Sequence, residues 1–312
     1  MSRPPLPRPS TVRLPAVAPA AVSTVLDFFL QRFPRVSAET WWERFTAGKV
    51  WSEAGPLGPE DAFRPLAEVH YRREVAEEPA VRRDYRLVFE DPHLLVVDKP
   101  PFLPVTPGGR WVRHCLLHLL YEERGEEGLA PLHRLDRLTS GLVVLSRDPA
   151  SRAHFQGLFQ RAGSHLEKRY CAVCEVCGEL PRRALLADHV ARSPSQPWRQ
   201  EVIAGRPANA RTELELVARD GDLALVSLRP STGRKHQLRV QLAAAGLPVL
   251  GDPMYGSEPR CDPADLSRRL WLDAHRLLVR GFPGWAGGPP LDQEWTSGLE
   301  HEEMLRQAMR AR

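Results

Sequence analysis

The stretch HRLDRLTSGLVVL, residues 133–145, joins charged side chains, a turn and an apolar run. Its last four residues, Leu142 to Leu145, are short, continuous and half β-branched, which is typical of a strand buried in a sheet. The preceding Thr139-Ser140-Gly141 segment favours a turn, because hydroxyl side chains bond to nearby backbone and glycine is free of most φ limits. The sequence therefore predicts that Asp136 lies in a loop at the mouth of a core strand.

Asp136 is flanked by Arg134 and Arg137. Opposite charges on both sides favour the ionised carboxylate. An ionised carboxylate suits a nucleophile or a stabiliser of positive charge better than a general acid. An aspartate that only caps a turn and pairs with its arginines fits this stretch equally well.

A second charged stretch is STGRKHQLRVQL, residues 231–242. Leu238, Leu242 and Ala245 recur at helical spacing and Gly246 ends the run, which predicts a short helix. Its first turns then carry four basic or potentially basic residues: Arg234, Lys235, His236 and Arg239. Because the dipole of a helix N-terminus prefers anions, this cluster is easier to explain if an anionic ligand binds there.

Five short segments, in order and in register, resemble the signatures of the RluA-type pseudouridine synthases. They are VVDKP (96–100), HRLD with TSGL (133–142), KRYCAV (168–173), GRKHQLRV (233–240) and GDPMYG (251–256). Two positions depart from the family pattern. Lys235 stands where the family usually has Thr or Ser, and Gln241 where it often has His.

The resemblance implies a reaction and a set of roles. The family isomerises uridine in RNA to its carbon-linked isomer with a catalytic aspartate, which here corresponds to Asp136. It implies no metal or other cofactor, because the isomerisation involves no net redox change or hydrolysis. The other implied site residues are Tyr170 near the reacting base, Arg239 as the partner of Asp136, Arg134 in the vacated base stack, Arg234 and Lys235 on phosphates, and His133 and His236 as further substrate contacts.

The resemblance also implies a fold and its boundaries. We expect an α+β pseudouridine synthase fold, with a mixed, largely antiparallel central sheet flanked by helices and loops, over residues 84–312. Residues 21–80 predict a small α/β module, faintly similar to an RNA-binding module shared with a ribosomal small-subunit protein; RNA binding and a purely structural role both stay open. Residues 1–20 are rich in proline, which predicts a flexible tail, and residues 74–83 predict a linker.

Composition narrows the compartment and partners. The 312 residues are 42% hydrophobic and carry a net charge of +4, which is compatible with RNA binding. Five cysteines, an odd number, favour a reducing compartment. The apolar stretch 16–26 is too short and interrupted to span a membrane, so we expect a cytoplasmic protein. We also expect a monomer whose partner is ribosomal or, second, transfer RNA.

Cys171, Cys174 and Cys177 form a C-x-x-C-x-x-C run that resembles part of a zinc or iron–sulfur site. A fourth ligand would have to be Cys115, Cys261 or a histidine, and none of these is in a paired spacing. The stretch 170–178 is rich in Cys, Val and Ala, and thiols pack well as small apolar groups. The sequence therefore favours a strand over a metal site.

Two other functions are compatible with a basic, aspartate-containing cleft. A glycosylase or nuclease would need a second positioned carboxylate or a metal cluster, which the sequence does not indicate. A non-catalytic RNA-binding protein would use the same basic residues without chemistry.

Overall fold

The computed structural model describes residues 9–34, 36–73, 75, 77–160, 165–256 and 266–311. The chain forms two compact units, Met1–Glu77 and Glu78–Arg312. Each unit has hydrophobic clusters of its own. The units are described separately below.

The first unit contains a four-stranded antiparallel sheet and two helices. The elements are β1 (Ser10–Arg13), α1 (Val25–Arg32), α2 (Ala38–Thr46), β2 (Val50–Ser52), β3 (Gly55–Pro56) and β4 (Glu68–Tyr71), with strand order β1-β4-β2-β3. The Phe29 ring centroid lies 4.7 Å from that of Trp41 and 5.4 Å from that of Tyr71. These edge-to-face contacts form the centre of the core.

The prediction of a flexible tail through residue 20 is wrong for its second half. Strand β1 pairs with β4, and Leu14 is only 1% exposed in the core. The physical reason is that the STVRL segment contains no proline, so the flanking Pro9 and Pro15 bracket the strand without removing a donor from it. Residues 1–8 lie outside the described residues.

The second unit is built on a ten-stranded sheet with strand order β10-β13-β14-β9-β15-β8-β6-β5, in which β16 also pairs with β15 and β7 with β8. Only the β8–β15 pair is parallel, so the expected mixed, largely antiparallel sheet is confirmed. Its strands are β5 (Arg86–Glu90), β6 (Leu94–Lys99), β7 (Ala130–Pro131), β8 (Ser140–Ser146), β9 (Leu166–Glu175), β10 (Arg183–Asp188), β13 (Ala210–Asp220), β14 (Leu223–Pro230), β15 (Leu272–Phe282) and β16 (Leu291–Thr296), and a separate hairpin pairs β11 (Val190–Arg192) with β12 (Gln200–Val202).

Four helices accompany the sheet in the described part of this unit: α3 (Leu116–Arg124), α4 (Arg152–Gln160), α5 (Gln237–Ala244) and α6 (His301–Arg310), with a 3₁₀ turn at Trp285–Gly287. The predicted start of α5 is too early. His236 is the N-cap, in the left-handed conformation at φ 55°, so Arg234 and Lys235 precede the helix. A left-handed residue stops helical propagation towards the N-terminus, so Arg234 and Lys235 lie on a loop while Arg239 lies within α5.

The predicted linker also needs correction at Glu78. Its carboxylate accepts hydrogen bonds from the backbone N–H groups of Val112 (2.8 Å) and His114 (2.7 Å). Residues from Glu78 onwards thus belong to the second unit, while Glu74 and Ala76 lie outside the described residues.

Gly141 explains how the central strands come together. It has φ 104°, and a Cβ placed on it would lie 2.5 Å from the carbonyl oxygen of Ala274 on β15. Only glycine allows this close approach of β8 to β15. The turn just before β8 closes with a hydrogen bond from the N–H of Thr139 to the carbonyl oxygen of Asp136, 3.2 Å long. This turn fixes Asp136 at the end of the core strand.

The strand predicted around the cysteines is confirmed as β9. Cys171 and Cys174 are buried within it, and because they are three positions apart they face opposite sides of the sheet. Cys177 is exposed beyond the strand, and Cys261 lies outside the described residues. No helix in the described ranges is both long and apolar enough to cross a membrane.

Candidate active site

A cavity of about 530 Å³ brings together three segments that are far apart in sequence: the turn before β8, one end of β9 and the loop before α5. Its wall contains seven of the eight site residues predicted from sequence, and Lys168 in addition. The predicted ones are Asp136, Tyr170, Arg239, Arg134, Arg234, Lys235 and His236.

Asp136 is the one carboxylate among the described residues that lines this cavity, and its side chain is 29% exposed. Arg239 Nη1 donates to its Oδ2 over 3.4 Å, and His236 Nε2 lies 3.8 Å from the same oxygen. The alternative in which Asp136 pairs with the arginines next to it in sequence is not what the structure has. The Arg137 guanidinium lies over the Trp111 ring, 4.6 Å from its centroid.

Arg239 is held mainly by a carboxylate that the sequence reasoning did not assign. Its Nε and Nη2 donate to the two carboxylate oxygens of Asp252, both over 2.7 Å. Asp252 is completely buried and also accepts from the N–H groups of Met254 (2.9 Å) and Tyr255 (3.1 Å). Burial alone would raise the pKa of Asp252, but hydrogen bonds and the charge of Arg239 hold it below its ordinary value. This forked contact fixes the guanidinium next to Asp136.

Tyr170 lies on β9 and lines the cavity. Burial, reinforced by the negative charges of Asp136 and Asp273, raises the pKa of Tyr170 to about 12. The side chain is therefore a neutral phenol near pH 7. It can stack, donate a hydrogen bond or pass a proton along, but it is a poor free base.

A buried lysine, Lys99, hydrogen-bonds to the turn that contains Asp136. The side chain of Lys99 is fully buried, and its Nζ donates to the carbonyl oxygens of Pro100 (2.9 Å) and Arg137 (3.4 Å). Burial lowers the pKa of Lys99 to about 7, against the opposing effect of Asp136 and Asp273. The contact with Arg137 anchors the residue next to the candidate catalytic aspartate. The sequence signals were the place of Lys99 in the VVDKP segment and at the end of an apolar strand.

His133 is the predicted substrate contact that the cavity does not include. Its Nε2 accepts a hydrogen bond from the N–H of Val144 over 3.1 Å, and its ring stacks on Phe159 with centroids 4.5 Å apart. Burial, together with the nearby charge of Lys168, lowers the pKa of His133 to about 3. The neutral ring therefore braces β8, and the predicted substrate role is corrected because the side chain packs inward.

Four cations on the cavity wall have no carboxylate within ion-pair distance among the described residues: Arg134, Lys168, Arg234 and Lys235. Arg234 Nε and Lys235 Nζ reach only backbone carbonyls, those of Asn209 (3.3 Å) and Trp198 (3.2 Å). Burial lowers the pKa of Lys168. Unpaired cations around a single carboxylate make this a site for a polyanion, with one group able to do chemistry on it.

The chain is similar to known RNA pseudouridine synthases. Residues 93–244 match the family model described as RNA pseudouridylate synthase. An uncharacterized RNA pseudouridine synthase of Synechocystis is 32% identical over 237 residues, covering 74% of this chain and 79% of that protein.

Two relatives carry names that specify an RNA. The ribosomal large subunit pseudouridine synthase D of Nitrosomonas europaea is 33% identical and covers 59% of this chain and 54% of its own length. The mitochondrial tRNA pseudouridine(32) synthase of Saccharomyces cerevisiae is 30% identical, over 75% of this chain and 50% of its own. The chain thus spans about half the length of both proteins.

Among solved structures, human RNA Pseudouridylate Synthase Domain Containing 4 superposes with a TM-score of 0.52 at 25% identity, covering 72% of this chain and 92% of that one.

Proposed function

Because the chain belongs to the RluA-type RNA pseudouridine synthases, which are isomerases, we propose that it isomerises specific uridines in structured RNA to pseudouridine. We propose ribosomal RNA as its substrate in preference to transfer RNA. The observation that carries this proposal is the arrangement around Asp136. One carboxylate faces the cavity, a guanidinium held by Asp252 lies beside it, and unpaired cations surround both.

The cations fit the demands of a folded RNA substrate. A uridine inside a helix hides its glycosidic bond, so the base must be extruded at a cost of a few kcal/mol. Contacts from Arg234, Lys235 and Lys168 to phosphates offset that cost. Arg134, exposed at the rim, takes the space that the flipped base leaves in the stack. The cavity volume of about 530 Å³ is in the range of typical small-ligand sites.

Asp136 is the group we assign to bond cleavage. It promotes breakage of the bond between N1 of uracil and C1′ of ribose, either by adding to the uracil ring or by acting at the sugar. The uracil then rotates and rejoins C1′ through C5. The Arg239 guanidinium lies beside this carboxylate, with Nη1 3.4 Å from Oδ2. The atoms of the substrate are conserved, so the reaction itself calls for no redox cofactor.

Tyr170 is assigned to the last step. After C5 has joined C1′, C5 still carries a proton, which must leave. With a pKa of about 12, the phenol is suited to stacking on the base and relaying this proton, rather than to removing it as a free phenolate.

The first unit is assigned a role in RNA binding outside the catalytic cavity. In support of this role, the unit exposes the Trp42 side chain at 49%. Exposed aromatic rings can stack on unpaired bases. A variant consisting of residues 78–312 should retain isomerisation with weaker or less selective RNA binding. An insoluble truncation would assign the module a structural role instead.

The test of the whole proposal is to map pseudouridines at nucleotide resolution in cells with and without this gene. We expect one or a few ribosomal positions to lose the modification, and the purified protein to restore them on unmodified RNA. Loss confined to transfer RNA would contradict the ribosomal assignment, and no change in any RNA would contradict the function. We expect the protein to act in the cytoplasm, as a monomer.

A further inference from the structure

The hydroxyl of Tyr255 has two hydrogen-bond partners next to the candidate active site. It accepts from the backbone N–H of Gln200 over 2.8 Å, and it lies 2.8 Å from Nδ1 of His236. All three groups are largely removed from solvent, with Tyr255 7% and Gln200 9% exposed and the His236 side chain 9% exposed. Tyr255 therefore connects the β11–β12 hairpin to the loop before α5, which ends at His236.

The protons at this contact can be accounted for. A phenol has one proton to donate. Burial raises the pKa of Tyr255, so the phenol is protonated near pH 7. The Gln200 N–H is itself a donor, which leaves Nδ1 of His236 as the acceptor for the phenol proton among the described residues. If Nδ1 carried a proton, both it and the Gln200 N–H would donate to the Tyr255 oxygen. The phenol proton would then have no acceptor among the described residues.

The second ring nitrogen of His236 faces the reaction centre. Nε2 is 3.8 Å from Oδ2 of Asp136, which is an acceptor. A proton on Nε2 thus suits both ends of the ring. Burial lowers the pKa of His236 to about 4, with Asp136 and Asp252 opposing that shift and Arg239 and Lys235 adding to it. The ring is therefore neutral near pH 7 and exists as one of two tautomers.

The backbone adds to this restraint. His236 is in the left-handed region at φ 55° and ψ 17°, a conformation that costs energy for a residue with a side chain and that is common at functional sites. The Tyr255 ring is packed as well, with the Arg239 and Arg199 guanidinium carbons 5.2 Å and 5.1 Å from its centroid. The hydroxyl can thus be removed while the ring stays in place.

We propose that Tyr255 is a positioning residue that locks His236 in the tautomer protonated at Nε2, so that the imidazole presents a fixed N–H donor to a substrate oxygen beside Asp136. This inference rests on the proposed function for the identity of that oxygen, which belongs to the flipped nucleotide, as a uracil carbonyl or a ribose hydroxyl. The tautomer itself is a property of the free protein.

The direct test is nuclear magnetic resonance on protein labelled with ¹⁵N-histidine, with long-range proton–nitrogen correlations that distinguish the two tautomers. The His236 signal is identified by its loss in His236→Gln. We expect Nε2–H in the wild type and a mixture of tautomers in Tyr255→Phe. A wild-type proton on Nδ1, or an unchanged pattern in Tyr255→Phe, would overturn the inference. This readout needs no RNA, so it stays decisive even if the protein forms no pseudouridine.

A rate measurement tests whether Tyr255 acts through His236. Tyr255→Phe should slow single-turnover pseudouridine formation about tenfold, with RNA affinity changed less than about twofold, as for other groups that orient a functional histidine. In a His236→Gln background, the same change should cost less than about twofold. Equal losses in both backgrounds would show that Tyr255 does not act through His236. Tyr121→Phe is the matched control. It removes a tyrosine hydroxyl on α3, outside the cavity wall, that donates to Glu127 Oε1 over 3.4 Å.

Discussion

Two groups of cations in the second unit differ in how they are paired. On the open face of the sheet, Arg183 lies directly opposite Glu215 on the neighbouring strand, and Arg229 lies opposite Glu213. The ion pairs measure 2.7 Å and 2.6 Å. In the cavity, Arg234 and Lys235 have no carboxylate partner within the described ranges. The same kind of charge is neutralised in one place and left available in the other.

The difference follows from the local structure. Cross-strand register places opposite charges side by side on the sheet face, where such pairs contribute about 0–1 kcal/mol each. Arg234 and Lys235 lie on a loop that a left-handed His236 separates from helix α5, so no strand partner faces them. Asp136, which also lines the cavity, faces Arg239 instead. We interpret the unpaired cations as the contacts for RNA phosphates.

The largest change in stability and activity should come from replacing Arg239, a buried cation that is paired with a buried carboxylate. Arg239→Ala leaves Asp252 charged and buried without its partner, so the free energy of unfolding should fall by about 3–5 kcal/mol. Pseudouridine formation should fall about a thousandfold at a temperature where the variant is folded, because Asp136 loses its neighbouring charge. Arg183→Ala is the matched control, for which we expect no measurable change in stability or rate, because an exposed ion pair contributes little. Similar effects of both substitutions on stability, by urea denaturation, would abolish the distinction between buried and surface pairs.

A second comparison concerns RNA affinity. Replacing Arg234 and Lys235 together by Ala should weaken RNA binding about tenfold or more and reduce the slope of log affinity against log salt by about 1.4, or about 0.7 for each lost contact to single-stranded phosphate. The double variant Arg183→Ala with Arg229→Ala removes the same charge from the sheet face and should leave the slope unchanged. Fluorescence anisotropy over a salt series measures both. A slope that falls equally in the two double variants would mean that general charge, rather than the cavity, binds RNA.

The smallest expected effect is on how folding stability changes as the pH falls. Because the pKa of His133 is about 3 in the folded protein and 6.5 in the unfolded chain, the unfolded chain binds the proton first as the pH falls. His133 therefore contributes stability above pH 6.5 that is lost between pH 6.5 and about 3. Between pH 7 and 5 this loss should be roughly 1–2 kcal/mol. His133→Gln should show a smaller loss over this range in urea titrations, whereas His189→Gln should match the wild type. An unchanged pH slope in His133→Gln would contradict the neutral, packed ring.

The sequence was informative where the signal is local. The strand predicted from the apolar run Leu142–Leu145 and the strand predicted around the cysteines are both present, as β8 and β9. Asp136 lies next to the start of β8, but the turn closes from Asp136 to Thr139 and not at the predicted Thr139-Ser140-Gly141, because Ser140 and Gly141 already pair within β8. These features depend on periodicity and turn chemistry over a few residues.

What the sequence reasoning missed depends on direction and on long-range contact. The motif containing His133 does not tell which way the side chain points, and the ring packs inward on Phe159. The role of Asp252 follows from a forked contact to Arg239 that exists only once α5 and the following loop have folded. The turn motif GDPMYG was the available signal, because an aspartate followed by proline in a turn can also accept local backbone N–H groups.

The central claim is that Asp136 carries out the isomerisation while the surrounding cations bind the RNA. Its most direct test is nucleoside analysis by mass spectrometry after a single turnover on the mapped RNA, with wild type and Asp136→Asn, alongside the affinity of both proteins for that RNA. We expect pseudouridine at unchanged RNA mass from the wild type, none detectable from Asp136→Asn, and affinities within about threefold of each other, since one carboxylate contributes little to a contact dominated by phosphates. Pseudouridine formed by Asp136→Asn at the wild-type rate would contradict the claim.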